Sequence, residues 1–394
     1  MQEDTIVITS IARTPIGNLL GELKSFSGNQ LGSIVIKAAI LRAKLNPLDI
    51  HEVIMGCVLP AGQGQAPARQ AAIHAGIAES TPCTTINKVC GSGMKAVMFA
   101  HDALVVGSTD IVVAGGMESM TNAPYLLLKG RQGYRFGHSE LYDHMQLDGL
   151  EDAYENKAMG LFAESCASQY SFTRKQQDDY AITSFERAKI ATGKNHFSGE
   201  IVPITLKTKQ GETIIDKDEH PFSVNPEKIP TLSPAFMKEG TVTAGNASSI
   251  ADGAAALTLM RLQEAEKHGV KPLARIIAHA SSAKAPREFT TAPIDVIKKL
   301  MEKIQWKVAD VDLFEINEAF AVVALAAMRD LKIPHEKLNI HGGACALGHP
   351  IGATGARILV TLISAMHHHG LKRGIASLCI GGGEATAIAV EMLA

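Results

Sequence analysis

An order of segments that occurs twice constrains this chain most. In the first copy, Asn87-Lys88-Val89-Cys90-Gly91-Ser92-Gly93 leads into a helical stretch, Met94 to Val106. An apolar strand follows, Ile111 to Ala114, and then Gly115-Gly116. In the second, a glycine-rich loop from His341 to Gly355 leads into a helical stretch, Ala356 to His369. A strand, Gly374 to Leu378, and the run Gly381-Gly382-Gly383 complete it. Buried strands between helices predict an α/β class with layered packing. The shared order predicts two related halves, and 394 residues are more than one core usually serves. Between the halves, from about Thr121 to Asn246, the chain is more polar and less regular. Tyr134 to His144 is rich in Gly, His and aromatics. Gln169 to Lys194 has the pattern of a charged amphipathic helix, and Glu219 to Pro234, with four prolines, reads as an extended loop. This region reads as an insertion that covers a site or builds an interface, with a plain surface excursion as the alternative.

Composition removes several functions. The 38 basic and 40 acidic side chains nearly cancel, so no basic excess is available to grip nucleic acid. Residues Thr5 to Thr9 read as a strand rather than a leader, and no uninterrupted apolar run reaches the roughly 18 residues of a membrane span. A cytoplasmic location and no membrane partner are therefore expected. Six cysteines fall at 57, 83, 90, 166, 345 and 379, with no C-x-x-C pair. That argues against a zinc knuckle and leaves each cysteine as buried filler or as a reactive thiol. His367-His368-His369 would point in different directions on a helix, so a solvated helix end and no metal site are expected.

Four segments carry candidate chemistry. Cys90 lies just before a predicted helix, where backbone N–H groups favour negative charge and would lower a thiol pKa. His349, between Gly348 and Pro350, is a fixed imidazole able to donate to an oxyanion or move a proton. Cys379 ends a buried strand before a glycine run, where α/β sites gather, and a second thiol there can serve as acid or base. Asn317, in Glu315-Ile316-Asn317-Glu318-Ala319-Phe320, can cap a helix or hold a water. Taken singly, each also has a structural reading: filler cysteines, a turn histidine, a capping asparagine.

Taken together, in this order and spacing, the segments resemble the thiolase family. Asn87 to Gly93 resembles its nucleophile loop. Asn317-Glu318-Ala319-Phe320, Gly348-His349-Pro350 and Cys379-Ile380-Gly381 resemble its other three catalytic motifs. Arg13-Thr14-Pro15-Ile16-Gly17, Pro67-Ala68-Arg69-Gln70-Ala71, Gly115 to Met120 and Val242 to Ser248 extend the match over essentially the whole chain. The resemblance implies a thiolase fold: two similar βαβαβ-type halves in a five-layered α/β/α/β/α sandwich with an inserted loop domain. The N-terminal half would be 1–120, completed by about 249–270, the insertion 121–248, and the C-terminal half 271–394. The implied reaction joins two acetyl-CoA into acetoacetyl-CoA plus CoA, or runs in reverse, with CoA as substrate and product and no other cofactor. Cys90 would be the nucleophile, Cys379 the acid and base, His349 and Asn317 the enolate-binding groups, and the amides of Cys90 and Gly381 the oxyanion donors. Ser248 would contact the pantetheine arm; Phe236, Met159 and Phe320 would line the acyl channel. A homotetramer, a dimer of dimers, assembled through the insertion is also implied.

The chain departs from the family pattern in places. Ala158 stands where short-chain members often have histidine. Pro286-Arg287-Glu288-Phe289-Thr290-Thr291-Ala292-Pro293 replaces Pro-x-x-Met-Gly-x-Gly-Pro, and Phe222 follows Asp218-Glu219-His220-Pro221 where arginine is frequent. Glu384 stands where a small or apolar residue is commoner. The first three bear on acyl length and CoA contacts. Two alternatives stand beside the acetyltransferase reading: a degradative 3-ketoacyl-CoA thiolase of broader chain length, and a non-catalytic acyl-CoA-binding relative.

Overall fold

A computed structural model describes residues 5–208 and 211–393. The first half is built from β1 (Ile6–Arg13), α1 (Gly28–Arg42), β2 (Glu52–Gly56), α2 (Pro67–His74), β3 (Cys83–Ile86), α3 (Ser92–Val106) and β4 (Ile111–Ser119). The insertion carries α4 (Met159–Gln169) and α5 (Arg174–Gly193), and β5 (Ala251–Arg261) then returns to the first half. The second half comprises β6 (Ala274–Ala283), α6 (Ala292–Ile304), β7 (Leu313–Ile316), α7 (Ala321–Leu331), α8 (Ile351–His369), β8 (Arg373–Ile380) and β9 (Glu384–Met392).

Strand order exposes the repetition. The first half runs β3-β2-β4-β5-β1 and the second β7-β8-β9-β6. β2 is parallel to β3 and β4, as β7 is to β8; β5 is antiparallel to β4 and β1, as β9 is to β8 and β6. The counterpart of β3 shrinks to one parallel bridge, Phe314 to Leu338. Even an irregularity is repeated: β1 shifts register between Ile8 and Ser10 and β6 between Ile276 and Ala278. The halves join through β1 and β6, which pair Val7 with Arg275 and Ile8 with Ala274.

The layers follow from which faces are apolar. α1 and α2 bury Val35, Ile36, Ala39 and Ala71 against one face of the first sheet. α6 and α7 bury Ile297, Leu300, Val322 and Val323 against one face of the second. α3 and α8 fill the space between the sheets, where Met94, Val97, Ile358, Leu359 and Leu362 pack with Leu257, Leu378 and Ile388. α8 is buried on every side from Ile351 to Met366, as a helix in a central layer must be. The arrangement is the five-layered thiolase fold. The window Val89–Val106 is long and apolar enough by composition to cross a membrane, but half of it is buried here, and α3 within it belongs to that central layer.

Several expected boundaries change. Gly115-Gly116 is no turn: both glycines lie inside β4. A Cβ at Gly115 would sit 2.0 Å from the Ala255 carbonyl oxygen, and one at Gly116 would sit 2.1 Å from that of Gly352. These glycines let the strand lie against β5 and the start of α8. The helix predicted over Gln169 to Lys194 begins only at Arg174, because Thr173 caps it by accepting the Gln176 amide at 3.1 Å. Glu219 to Pro234 is not fully extended. It holds a helical turn, His220–Ser223, and a 3₁₀ turn, Pro226–Thr231, each with proline in its first positions. The insertion is held to β1 by a fully buried ion network in which Arg13 pairs with Glu200 and, through both terminal nitrogens, with Asp218 at 2.7 and 2.9 Å.

Candidate active site

Cys90 and His349 occupy matching places in the two halves. Each stands two residues ahead of a central helix, α3 or α8. The starts of these helices touch through glycine: a Cβ at Gly93 would lie 2.8 Å from the Ala356 nitrogen, and one at Gly355 would lie 2.4 Å from that of Met94. The duplication thus brings two loops, remote in sequence, to one point.

The loop that carries Cys90 is a strained elbow. Val89, a β-branched residue, has φ 46, a left-handed conformation rare for such a side chain. Two side chains lock it: the Val89 amide donates to Asn87 Oδ1 at 2.8 Å, and Ser92 Oγ donates to the Val89 carbonyl at 2.6 Å. Half-buried Cys90 follows. Sequence reasoning expects a lowered thiol pKa, and the structure reverses this. Burial pushes the thiol up to about 11, although the amides of Gly381 and of Cys90 itself point at the sulfur and partly offset it. A thiol raised in this way gives up its proton at neutral pH only to a base.

His349, in the matching loop of the other half, is the candidate for that base. It is buried, and burial together with the Arg357 guanidinium lowers its pKa to about 3, so the ring is neutral. Its Nδ1 lies 2.6 Å from Thr354 Oγ1, and that hydroxyl donates to the Pro350 carbonyl at 2.9 Å. With its proton committed there, Thr354 accepts, so Nδ1 carries the ring proton. Nε2 is left with a free lone pair and has no partner among the described residues. Thr354 went unnoticed in the sequence because its role depends on the turn geometry of α8.

Asn317 directly follows β7, and its backbone amide donates to the Ser377 carbonyl of β8 at 3.0 Å. Cys379 lies two residues further along β8. Asn317 does not cap a helix, since α7 starts at Ala321 with Phe320 before it. It is 1% exposed, and neither Oδ1 nor Nδ2 has a partner among the described residues. Its neighbour Glu318 is fixed instead: its carboxylate accepts from Tyr180 at 2.9 Å, Ser184 at 2.7 Å, Asn339 at 2.9 Å and the Cys345 amide at 3.1 Å. A buried carboxylate held from α5 and from the glycine-rich loop makes the Asn317 backbone rigid.

Cys379 is buried, and burial together with the Cys90 sulfur raises its pKa well above the ordinary value. It shares one apolar cluster with Phe320, and Met159 and Phe236 pack against that cluster. The Phe236 and Phe320 rings meet edge to face at 6.1 Å, and Phe289 meets Phe320 at 6.3 Å. The Met159 methyl lies 3.8 Å from where a Cβ on Gly381 would be. Ser248 is half-buried; its amide donates to the Ala319 carbonyl at 3.0 Å, and the next residue, Ser249, accepts from the His349 amide at 3.0 Å. The structure therefore gathers Cys90, Cys379, Gly381, Met159, Phe236 and Phe320 in one place, and the Ser248-Ser249 segment joins the Asn317 loop to the His349 loop. A surface cavity of about 570 Å³, bordered by Cys166, Lys284, Arg287 and Asp330, includes none of the residues expected in the site.

Two further groups were not read from sequence as site residues. Buried Glu118 accepts from the amides of Val58, Leu59 and Gly352 at 3.0, 3.2 and 2.9 Å, tying the end of β4 to the start of α8. Burial raises its pKa to about 7. Glu384, unexplained in the sequence, pairs with Lys88 of the Cys90 loop. The pair ties that loop to the glycine loop that supplies the Gly381 amide.

The thiolase N-terminal domain family matches residues 6–263 and the thiolase C-terminal domain family residues 270–392. The chain is 49% identical to acetyl-CoA acetyltransferase 2 of Arabidopsis thaliana over 391 residues, covering 98% of this chain and 97% of that one. It is 45% identical to the acetyl-CoA acetyltransferase of Allochromatium vinosum, covering 99% and 100%. Among solved structures, the Bacillus anthracis acetyl-CoA acetyltransferase superposes with a TM-score of 0.97 at 41% identity, over 100% of both chains. The Acat5 thiolase of Ascaris suum in complex with coenzyme A gives 0.93 at 43%, over 99% of this chain and 100% of that one. With both halves matched and the fold shared along its whole length, the chain belongs to the thiolase family.

Proposed function

We propose that this protein is an acetyl-CoA C-acetyltransferase that condenses two acetyl-CoA into acetoacetyl-CoA and CoA, reversibly, through an acetyl group on Cys90. The observation that carries the reading is the meeting of the two helix starts beside Cys90 and His349, with His349 neutral and its Nε2 lone pair free and with the Cys90 and Cys379 thiols, neighbours of each other, both raised. The names of the relatives point the same way.

The steps follow from these atoms. Cys90 gives its proton to His349 Nε2 as its sulfur bonds to the thioester carbonyl carbon. The amides of Cys90 and Gly381 receive the oxyanion. Its collapse breaks the carbon–sulfur bond to CoA, and Cys379 gives the departing thiolate a proton. The Cys379 thiolate is strongly basic because it is buried, which suits the removal of a proton from the methyl carbon of a second acetyl-CoA. His349, now carrying a proton on Nε2, donates to the enolate oxygen together with a water held by Asn317. The enolate carbon attacks the acetyl group on Cys90. Cys90 leaves as thiolate and recovers its proton from His349, so the enzyme ends as it began. Coenzyme A is substrate and product, and these steps call for no other cofactor.

Phe236, Met159 and Phe320 line the acyl channel in this reading, and Ser248 contacts the pantetheine arm. Phe289, rigid and packed on Phe320, favours short acyl groups. The sequence division into halves at 1–120 with 249–270 and at 271–394, around an insertion at 121–248, belongs to the same proposal, as do a cytoplasmic location and a homotetramer. Self-association is supported by the exposed apolar side chains of the insertion's first segment: Tyr125, Leu127, Leu128, Phe136 and Leu141.

Thiolysis by the purified protein tests the reading, followed as loss of 3-ketothioester absorbance with acetoacetyl-CoA and with a longer 3-ketoacyl-CoA. Turnover confined to acetoacetyl-CoA and abolished in Cys90→Ala is expected. Equal turnover of the longer substrate would move the protein to the degradative class, and no turnover of either would make it a binding relative.

A further inference from the structure

Four histidines remote in sequence meet at the C-terminal end of α8. His196 follows α5, His341 opens the glycine-rich loop, and His368 and His369 end α8. His341 Nε2 lies 3.0 Å from His196 Nδ1 and 3.1 Å from His369 Nε2. One nitrogen from each of these three rings lies within 4.8 Å of the others. His368 stands beside the group, its ring 3.9 Å from that of His196. His341 is buried, His196 is partly buried and His369 is exposed, so the cluster has a fixed floor and an open side.

The geometry is awkward for hydrogen bonding alone. A ring nitrogen offers one proton or one in-plane lone pair. His341 Nε2 faces two other ring nitrogens, so it cannot donate to both, and as an acceptor it must divide one lone pair between two N–H groups. A single cation at the centre uses all three lone pairs at once. Zinc–imidazole bonds of about 2.0–2.1 Å place cis nitrogens roughly 3.3 Å apart in a tetrahedron and roughly 3 Å apart in an octahedron; the two observed separations lie in that range. Uncharged imidazole donors with no carboxylate or thiolate in the set select zinc, nickel or copper over magnesium or calcium. The second histidine-rich group, His101, Asp102 and His279, has a simpler account: Asp102 Oδ1 lies 3.1 Å from His101 and 2.8 Å from His279 as an ordinary hydrogen-bond acceptor.

We propose that His196, His341 and His369 bind one divalent ion of the zinc class. The site is structural. α8 rises about 1.5 Å per residue, which sets His369 roughly 27 Å from the end of the helix next to His349. The ion would clip together the segment after α5, the start of the loop that carries His349, and the end of α8. In sequence, His367-His368-His369 reads as a solvated helix end; the partners that turn His369 into a ligand come from other elements.

The test is zinc binding by the intact protein, stripped with chelator and then dialysed against micromolar Zn²⁺ at pH 8. Metal content by mass spectrometry and thermal unfolding are read in parallel. The wild type is expected to retain one zinc per chain more than the His196→Gln/His369→Gln double variant, and to melt higher with zinc than without. His369→Gln alone should weaken binding by more than about tenfold, a ligand counting for at least as much as outer-shell partners, whose loss costs roughly 10- to 100-fold. Exposed His367→Gln, which replaces a residue outside the set, should bind as the wild type does. The substituted side chains lie at or near the surface, and thiolysis activity of each variant checks its fold. Zinc taken up by active-site thiols is common to all the variants and cancels in the comparison. Equal zinc content in the wild type and the double variant, with no zinc-dependent shift in melting, overturns the proposal.

Discussion

Cys90 shows how far one residue's behaviour depends on its surroundings. A thiol at a helix start ought to ionise easily, yet burial places it at about 11. The sign of its pH dependence follows. The thiolate fraction rises until pH passes the thiol pKa, so alkylation of Cys90 in the free protein should keep accelerating beyond pH 9. An ordinary cysteine would level off soon after about 8.5. A plateau by pH 8 in iodoacetamide kinetics would contradict this. Asn317 gives a second residue-scale prediction. Its side-chain amide has no partner among the described residues, so Asn317→Ala removes no protein hydrogen bond and should leave thermal stability unchanged or raised. If the amide holds the water that stabilises the enolate, kcat should fall by roughly 100- to 1,000-fold. A variant that melts lower and keeps its turnover would reverse both halves of this prediction.

At the scale of elements, the active site depends on how closely β4 and α8 approach. Gly116 lies where β4 meets the first turn of α8, and a Cβ there would come within 2.1 Å of the Gly352 carbonyl oxygen. Glu118, two residues on, accepts the Gly352 amide at 2.9 Å. Gly116→Ala must therefore push α8 away from β4 and displace the His349 loop from Cys90. The expected result is a soluble protein, destabilised by about 1–3 kcal/mol as in other overpacked cores, with turnover reduced by at least about 100-fold, the cost of a misplaced catalytic group. Chemical denaturation and thiolysis kinetics check it together; wild-type kinetics would mean that the approach is not critical. Lys88 and Glu384 act at this scale too, since their ion pair joins two loops that reach Cys90 from opposite halves.

At the scale of the whole molecule, the insertion faces two ways. Inward, Glu200 and Asp218 hold Arg13, and Tyr180 and Ser184 hold Glu318, so the insertion supports the site from behind. Outward, its first segment exposes aromatic and aliphatic side chains, with the Phe136 side chain fully exposed. A residue that buries nothing within its own chain can be replaced without cost to that chain's fold. If the protein assembles as the proposed homotetramer, Phe136→Asp is thus expected to leave melting of the protomer unchanged while halving the mass seen by sedimentation. An unchanged mass would remove Phe136 from the assembly surface.

The sequence alone determined the repeated order of elements, because apolar periodicity and glycine position are local properties that survive without knowledge of partners. It also singled out the groups proposed to react: Cys90, His349, Cys379 and Asn317 each stand in a short motif of small residues where a strand meets a loop or a helix begins. Only the tertiary structure decided what those groups can do. The ring proton of His349 is placed by Thr354, the two raised thiols owe their state to burial, and Glu384 acquires a purpose only when Lys88 reaches it from the other half. Gly115-Gly116 read as a turn because glycine's conformational freedom is its commonest use, whereas here it serves close approach between elements far apart in the chain. Ionisation, tautomer and contact across halves depend on which atoms become neighbours, and burial and long-range packing set those neighbours.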